Sequence, residues 1–223
     1  MDGVTDASSP WYRLAMTSDE ALAVPARRGP GRPRGGETVA DREQVLAAAL
    51  RVIRADGPDV TMDDIAAAAG VSKPIVYRNI GDKDALVAAL SEMFVDQLNE
   101  AVERSTARGS GGRSTFAASM RATLEVIDDD RNLFLFVTAG GPGTESVRQL
   151  VERSSSRMID QFSALRTAAG LDPVPVRTWA YATVGAIQVA AMMWLRDGYG
   201  ERDDVADHIT QLMWPGLTGA GEP

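Results

Sequence analysis

The stretch Thr61–Leu86 constrains the fold of this 223-residue chain more than any other, because it encodes two short helices separated by a tight turn. Met62, Ile65 and Ala69 recur at the spacing of one helical face, which predicts the first helix. Gly70 can adopt the left-handed backbone conformation that commonly ends a helix. We therefore predict a helix, a short turn and a second helix, the arrangement called a helix-turn-helix.

The second helix of this stretch is predicted to have one apolar face and one basic, aromatic face. Ser72 suits the N-cap and Pro74 is tolerated in a first turn, so the helix is expected to begin near these residues. Val76 and Ile80 share the apolar face. The opposite face carries the residues expected to meet DNA: Lys73, Pro74, Tyr77 and Arg78. A helix with this outer face is suited to entering the major groove of DNA.

The distribution of charge, rather than its total, bears on nucleic-acid binding. The net charge is −8, but residues 26–36 contain four arginines and no acidic residue, and screening limits the reach of a charge to about 10 Å. Within this segment, Arg32 and Arg34 belong to a Gly-Arg-Pro-Arg motif that resembles an AT-hook, whose extended backbone fits the narrow minor groove. The alternative is a solvated basic tail that adds only non-specific attraction to phosphates.

Composition excludes several kinds of site. Without cysteine, the chain has no disulfide, no thiolate metal ligand and no cysteine nucleophile. It contains no run of about 18 apolar residues, and its N-terminus lacks the basic start and apolar core of a secretory signal. We expect no membrane segment, no cofactor, no bound metal and a cytoplasmic location.

Nothing in the sequence points to catalysis. The only histidine, His208, lies beside Asp204 and Asp207 on a predicted surface helix, and no serine has the flanking residues of a nucleophile elbow. The run Asp128–Asp130 is predicted to be a solvated turn and helix start. The alternative, a divalent-metal site, lacks a second set of ligands. We therefore expect that the protein is not an enzyme.

The remaining segments predict an all-α fold of about nine helices. A helix from about Thr38 or Asp41 to Ala55 precedes the helix-turn-helix, and a long fourth helix, capped by Asp82, runs from Lys83 to about Arg104. Periodicity alone would also allow Leu133–Val137 to be a strand, but no second strand is predicted to pair with it. The last helix is predicted over Asp203–Met213.

The domain organisation follows from changes in composition along the chain. The glycine- and serine-rich segment Arg108–Ser114 is the clearest interruption after helix four. We divide the chain into a flexible basic arm (residues 1–36), a helix-turn-helix DNA-binding domain (37–85) and a ligand-binding and dimerisation domain (86–218).

The last two helices are predicted to form a homodimer interface. The segment from about Val174 to Asp197 is apolar nearly all round and contains small residues such as Gly185 and Ala186, which let another helix approach closely. One thin layer of helices cannot bury that much apolar surface. We expect the last two helices to pack against their copies as a four-helix interface.

Large apolar residues of the C-terminal domain are candidates for a ligand pocket. An apolar pocket would favour a small lipophilic effector. The alternative is that each of these residues belongs to the ordinary core, which requires the same residue types. The candidates are Met93, Phe94, Phe116, Met120, Phe134, Met158, Phe162 and Trp179.

The stretch Thr61–Leu86 resembles the DNA-binding signature of TetR-type transcriptional regulators. It contains their Thr-x-x-Asp-Ile-Ala opening, the Ala-Gly-Val-Ser turn, the tyrosine of the recognition helix and Lys83. The resemblance implies three helices for DNA binding, a fourth helix as a link and a C-terminal domain for ligand and dimer. Asn79 and Ile80 depart from the family, which often has His-Phe at these positions. The resemblance implies operator contacts for Thr61, Ser72, Lys73, Pro74, Tyr77 and Lys83.

Two functions are consistent with these features. The first is a ligand-responsive repressor that binds a palindromic double-stranded DNA operator as a dimer, with its recognition helices about 34–36 Å apart. The second is a constitutive or architectural DNA-binding protein whose C-terminal domain only dimerises. Lys83 bears on both functions, because a cation at a helix N-terminus opposes the helix dipole, and a nearby phosphate would relieve this. The alternative is a solvent-exposed lysine at a small cost in stability. Thr61 is expected to cap its helix and can also donate to a phosphate.

Overall fold

The computed structural model describes residues 41–107, 109, 112–139, 145–168, 170 and 175–218, and every regular element in these ranges is an α-helix. The predicted all-α fold, with an N-terminal helix-turn-helix and a helical C-terminal domain, is confirmed. No described helix combines the length and the apolarity needed to cross a membrane. The helices are α1 (Arg42–Asp56), α2 (Met62–Ala69), α3 (Lys73–Ile80), α4 (Lys83–Thr106), α5 (Gly112–Asp129), α6 (Arg131–Thr138), α7 (Glu145–Ala168), α8 (Val176–Asp197) and α9 (Arg202–Thr218).

Local sequence signals define the ends of α1, α2 and α3. The Asp41 carboxylate accepts a hydrogen bond from the Gln44 N–H at 2.9 Å and so caps α1. Gly70 ends α2 with a φ of +67°, and its N–H reaches the carbonyls of the last turn. Val45, Ile65 and Val76, one from each helix, are fully buried together with Ile53. The three helices therefore share one apolar core that holds the turn in place.

Helix α4 connects this core to the rest of the chain. The Asp82 carboxylate caps it by accepting from the Ala85 N–H at 2.9 Å. The buried face of α4 includes Leu86, Leu90 and Phe94, and the helix packs on α5, α6 and α7. In the C-terminal part, α9 packs on α5 and α8 packs on α7.

The short helix α6 lies between α1 and α4 and contacts both. Its apolar run, Leu133–Val137, is helical rather than extended, in agreement with the absence of a predicted partner strand. Leu133, Phe134, Phe136 and Val137 are all buried. Helix α6 therefore belongs to the interior and touches α1, the first helix of the helix-turn-helix domain, directly.

Three predictions about the loops and ends are wrong. Helix α5 begins at Gly112, inside the predicted loop Arg108–Ser114, because the buried Phe116 anchors the N-terminal part of the helix. Helix α9 continues through Pro215, which lies on an exposed surface where water can satisfy the carbonyl that lacks an N–H partner. Asp130 is not solvated: its side chain is 5% exposed and pairs with Arg54.

Candidate nucleic-acid interface and ligand cavity

Helix α3 has the two faces that a recognition helix requires. Ile75, Val76 and Ile80 are buried against the neighbouring helices, so the backbone of α3 is held firmly although eight residues are too few for a stable isolated helix. On the outer face, Tyr77 is 44% exposed. Lys73, Pro74 and Arg78 are exposed on the same side.

The entrance to α2 is a capping box formed by Thr61 and Asp64. The Asp64 N–H donates to the Thr61 hydroxyl oxygen at 3.3 Å, and the Thr61 N–H donates to the Asp64 carboxylate at 2.9 Å. The Thr61 hydroxyl also donates to Asp64, at 2.6 Å, and this hydrogen bond holds the pKa of the carboxyl below its usual value. To donate to a phosphate, the Thr61 hydroxyl must leave Asp64.

Lys73 is paired within the protein. Its Nζ lies 2.9 Å from the Asp63 Oδ2 on α2, with both side chains about half exposed or more. Hydrogen bonding to Asp63 raises the pKa of Lys73. Lys73 therefore carries a positive charge on the outer face, but Asp63 competes with phosphate for it.

The remaining predicted DNA contacts occupy different settings. Lys83 is exposed at the start of α4, and its Nζ lies 5.5 Å from the centre of the Phe136 ring. Ser72 occupies the N-cap of α3, although its side chain makes no capping hydrogen bond to the described backbone. Ile80 is buried and fills the core position where relatives often have phenylalanine. Arg32 and Arg34 lie outside the described residues, as does the whole predicted arm.

A cavity of about 130 Å³ lies between α4, α5, α6, α7 and α8. Six of the eight predicted pocket residues line it, because they share the inner faces of these helices: Phe94, Phe116, Met120, Phe134, Met158 and Phe162. Met93 and Trp179 are not part of the described lining. The Trp179 ring instead contacts the guanidinium of Arg166, at 4.6 Å from the ring centre.

The polar part of the lining was not predicted from the sequence. Asn99, Arg157, Gln161 and Gln188 also line the cavity. Residues 154, 157, 158, 161 and 162 follow the spacing of one face of α7, and this periodicity is the signal that could have identified them. Selecting only large apolar residues excluded them.

A junction connects α1 to α6. The Arg54 Nε donates to both carboxylate oxygens of Asp130 at 3.0 Å, and the Asn132 side-chain amide donates to the Arg54 carbonyl at 2.9 Å. Two residues further along α6, Phe134 lines the cavity, and its ring centre lies 6.0 Å from that of Phe94 of α4, with the rings tilted by 40°. The same short helix therefore touches the cavity on one side and α1 of the helix-turn-helix domain on the other.

The inner face of the recognition helix is buried and its outer face is exposed. This arrangement is typical of a DNA-binding transcriptional regulator of the helix-turn-helix class. Residues 45–90 match the family model described as bacterial regulatory proteins, tetR family. The chain is 30% identical over 186 residues to the HTH-type transcriptional regulator Rv0472c of Mycobacterium tuberculosis, and the match covers 81% of this chain and 79% of that protein. The chain therefore belongs to the TetR family of transcriptional regulators.

Two further relatives extend this assignment beyond the helix-turn-helix. The HTH-type transcriptional activator FasR of Mycolicibacterium smegmatis is 28% identical over 203 residues, covering 86% of this chain and 93% of FasR. The crystal structure of a TetR-like transcriptional regulator from Rhodococcus sp. RHA1 matches with a TM-score of 0.59 and 29% identity, covering 81% of this chain and 97% of that one. These proteins are regulators rather than enzymes, as the sequence predicts for this chain.

Proposed function

We propose that the protein is a dimeric, ligand-responsive repressor that binds a palindromic operator and acts in the cytoplasm. The observation that carries the proposal is the position of α6. Phe134 lines the cavity, while Asp130 and Asn132 on the same helix hold Arg54 of α1. A ligand that moves α6 would therefore change how the DNA-binding helices are held.

The response requires a ligand that prefers the state with low affinity for DNA. By linkage, DNA then weakens ligand binding by the same factor. Most of the lining is apolar, including Phe94, Phe116 and Phe162, which favours a small lipophilic effector.

Dimerisation through α8 and α9 is supported by apolar residues that the single chain leaves exposed. Val189 on α8 is 53% exposed and Leu212 on α9 is 78% exposed. A Cβ built on Gly185, one turn before Val189, would meet no atom within 4 Å, so this part of α8 is open to a close neighbour. A second copy covering this face would place two recognition helices on one operator, about 34–36 Å apart.

Activation is the second candidate for the sign of regulation. FasR, which matches over most of this chain, is named a transcriptional activator. The same DNA-binding domain can block a promoter or recruit polymerase, depending on where its operator lies.

Selection of bound DNA from a random pool tests the proposal. We expect a palindrome whose half-sites are about one helical turn apart, bound by a dimer. Neutral alcohols from hexanol to dodecanol, added at increasing concentration, should release this DNA. Operator binding that no lipophilic ligand changes would favour the constitutive alternative instead.

The same selection on a chain lacking residues 1–36 tests the basic arm. If Arg32 and Arg34 enter the minor groove, the truncated protein should lose preference for A·T pairs beside the half-sites. Equal loss of affinity on every flanking sequence would leave only non-specific attraction to phosphates.

A further inference from the structure

The charge in the described cavity lining comes from an arginine of α7, which pairs with a glutamate of α4 outside that lining. Among the described residues that line the cavity, Arg157 is the only one with a charged side chain. A cationic ligand would meet a like charge and no carboxylate in this lining, whereas an anionic ligand would meet a compensating charge. The guanidinium also offers the planar pair of donors that matches a carboxylate.

Arg157 can be released to a ligand at little cost. It forms an ion pair with Glu103 of α4, and the two side chains are 42% and 54% exposed. An exposed pair of this kind contributes only about 0–1 kcal/mol. If Arg157 turned to a ligand, water could hydrate the exposed Glu103 carboxylate.

The charge lies at one end of the lining, and Phe94 and Phe134 lie towards the other. Val102, which lines the cavity, precedes the Arg157 partner Glu103, while Phe94 packs on Phe134 of α6. From Phe94 to Val102 the helix rises about 12 Å. Asn99 and Gln161 lie one turn from Glu103 and Arg157 respectively, and they add neutral hydrogen-bonding groups near the charged end.

The size of the cavity restricts the apolar part of a ligand. Its volume of about 130 Å³ is close to the roughly 150 Å³ of an engineered cavity that accepts benzene. A volume this small beside a lining about 12 Å long suits an unbranched chain better than a fused ring system.

We propose that the effector is an amphipathic acid, with its carboxylate on Arg157 and an unbranched apolar chain directed towards Phe94 and Phe134. The inference rests on the proposed ligand response and assigns its chemical class. The anionic group supplies affinity and orientation at Arg157. The far end of the chain reaches α6, whose other side holds Arg54.

Calorimetric titration of the full chain with decanoate, 1-decanol and decylammonium tests the assignment. Decanoate should bind most tightly and decylammonium least. Arg157→Gln should weaken decanoate binding by about tenfold or more, because a charge-assisted hydrogen bond is lost, and leave 1-decanol binding unchanged. Arg157→Lys should be intermediate, since it keeps the charge but loses the paired donors.

One further variant controls for folding and for general effects of charge, and another tests the competition of Glu103 for Arg157. Arg153→Gln removes an arginine of the same helix that pairs with Glu92 and lies outside the described lining, so it should leave all three affinities unchanged. Glu103→Gln removes the competitor for Arg157 and should tighten decanoate binding.

The outcomes separate this inference from the proposed function. It is overturned if Arg157→Gln binds decanoate as tightly as the unchanged protein, if decylammonium binds equally well, or if none of the three probes binds. Release of operator DNA by 1-decanol but not by decanoate would overturn the acid assignment and leave the ligand-responsive regulator standing. Binding of decanoate through Arg157 without any effect on operator affinity would support the acid assignment and overturn the proposed ligand-responsive regulation.

Discussion

At the scale of single residues, an acidic side chain limits one of the predicted DNA contacts. Asp63 holds the Nζ of Lys73 at 2.9 Å, on the exposed surface beside the recognition helix. A phosphate and Asp63 cannot both take the full strength of the same ammonium group. The free protein therefore presents less available charge than its sequence suggests.

Replacing Asp63 with asparagine should tighten operator binding. The change removes a negative charge near DNA and the competitor for Lys73, so we expect roughly a two- to fivefold gain, the scale of an exposed ion pair. Fluorescence anisotropy at several salt concentrations measures it. Asp204→Asn, which makes the same change in net charge on α9, is the control and should have little effect. Equal affinity in both variants would mean that Lys73 makes no phosphate contact.

Lys83 provides a test of phosphate contact at the start of α4. Lys83→Ala should lower the slope of log affinity against log salt by about 1, as expected for one lost phosphate contact. Tyr77→Ala should weaken binding without changing this slope, because the exposed tyrosine carries no charge at neutral pH. An unchanged slope for Lys83→Ala would leave Lys83 only its contact with the Phe136 ring.

At the scale of elements, the sequence does not predict that α6 connects the cavity to α1. This helix is only eight residues long, yet it contacts the cavity, α4 and α1. The Arg54–Asp130 pair at its start is asymmetric: Asp130 is 5% exposed and Arg54 is 40% exposed. The two partners should therefore respond differently to removal.

Arg54→Ala should destabilise the protein more than Asp130→Ala. Losing Arg54 leaves a buried carboxylate without its ion-pair partner, which costs about 2–3 kcal/mol, whereas losing Asp130 leaves a guanidinium that water can reach, for roughly 1 kcal/mol or less. Asp130 makes no capping hydrogen bond within α6 that would confuse the comparison. Urea unfolding measures the loss in the free energy of unfolding for both variants. Arg51→Ala, at an exposed position of α1, is the control. Equal costs would contradict the buried position of Asp130.

The capping box of α2 predicts a dependence of stability on pH. Hydrogen bonding to Thr61 lowers the pKa of Asp64 in the folded state. The stability that the capping box contributes is therefore fully present above the pKa of Asp64 in the unfolded chain, and it is lost as the pH falls through the pKa of Asp64 in the folded protein. Thermal melts of the protein and of Asp64→Asn should therefore differ at pH 7 and converge at acidic pH. A constant difference across this range would show that ionisation of Asp64 is not involved.

At the scale of the whole molecule, the proposed function requires a second copy of the chain. Val189 and Leu212 are exposed on α8 and α9, and a single chain offers nothing to cover them among its described residues. Two recognition helices on one operator would explain a palindromic site.

Leu212→Glu should convert the protein to monomers and weaken operator binding strongly. The residue is 78% exposed, so the change should leave the stability of the monomer fold nearly unaltered, while burying a charge in the interface is costly. Sedimentation measures the oligomeric state. Ser156→Glu adds the same charge on the exposed side of α7 and should leave the dimer intact. A dimeric Leu212→Glu protein would place the interface elsewhere.

Local signals were enough to predict the helix-turn-helix. Thr61, Gly70 and Asp82 act through hydrogen bonds and backbone angles within a few residues, so their effects can be read along the chain. The all-α class follows from the periodicity of apolar residues in the same way.

Long-range pairing was decided only by the tertiary structure. Asp130 belongs to a run of three aspartates that predicts solvent exposure, yet Arg54, 76 residues away in sequence, makes its burial possible. Arg157 likewise lines the cavity because α7 packs against α4 and α8. A buried charge such as that of Asp130 is stable when a partner from another helix offsets its desolvation, and no local pattern records which partner that will be.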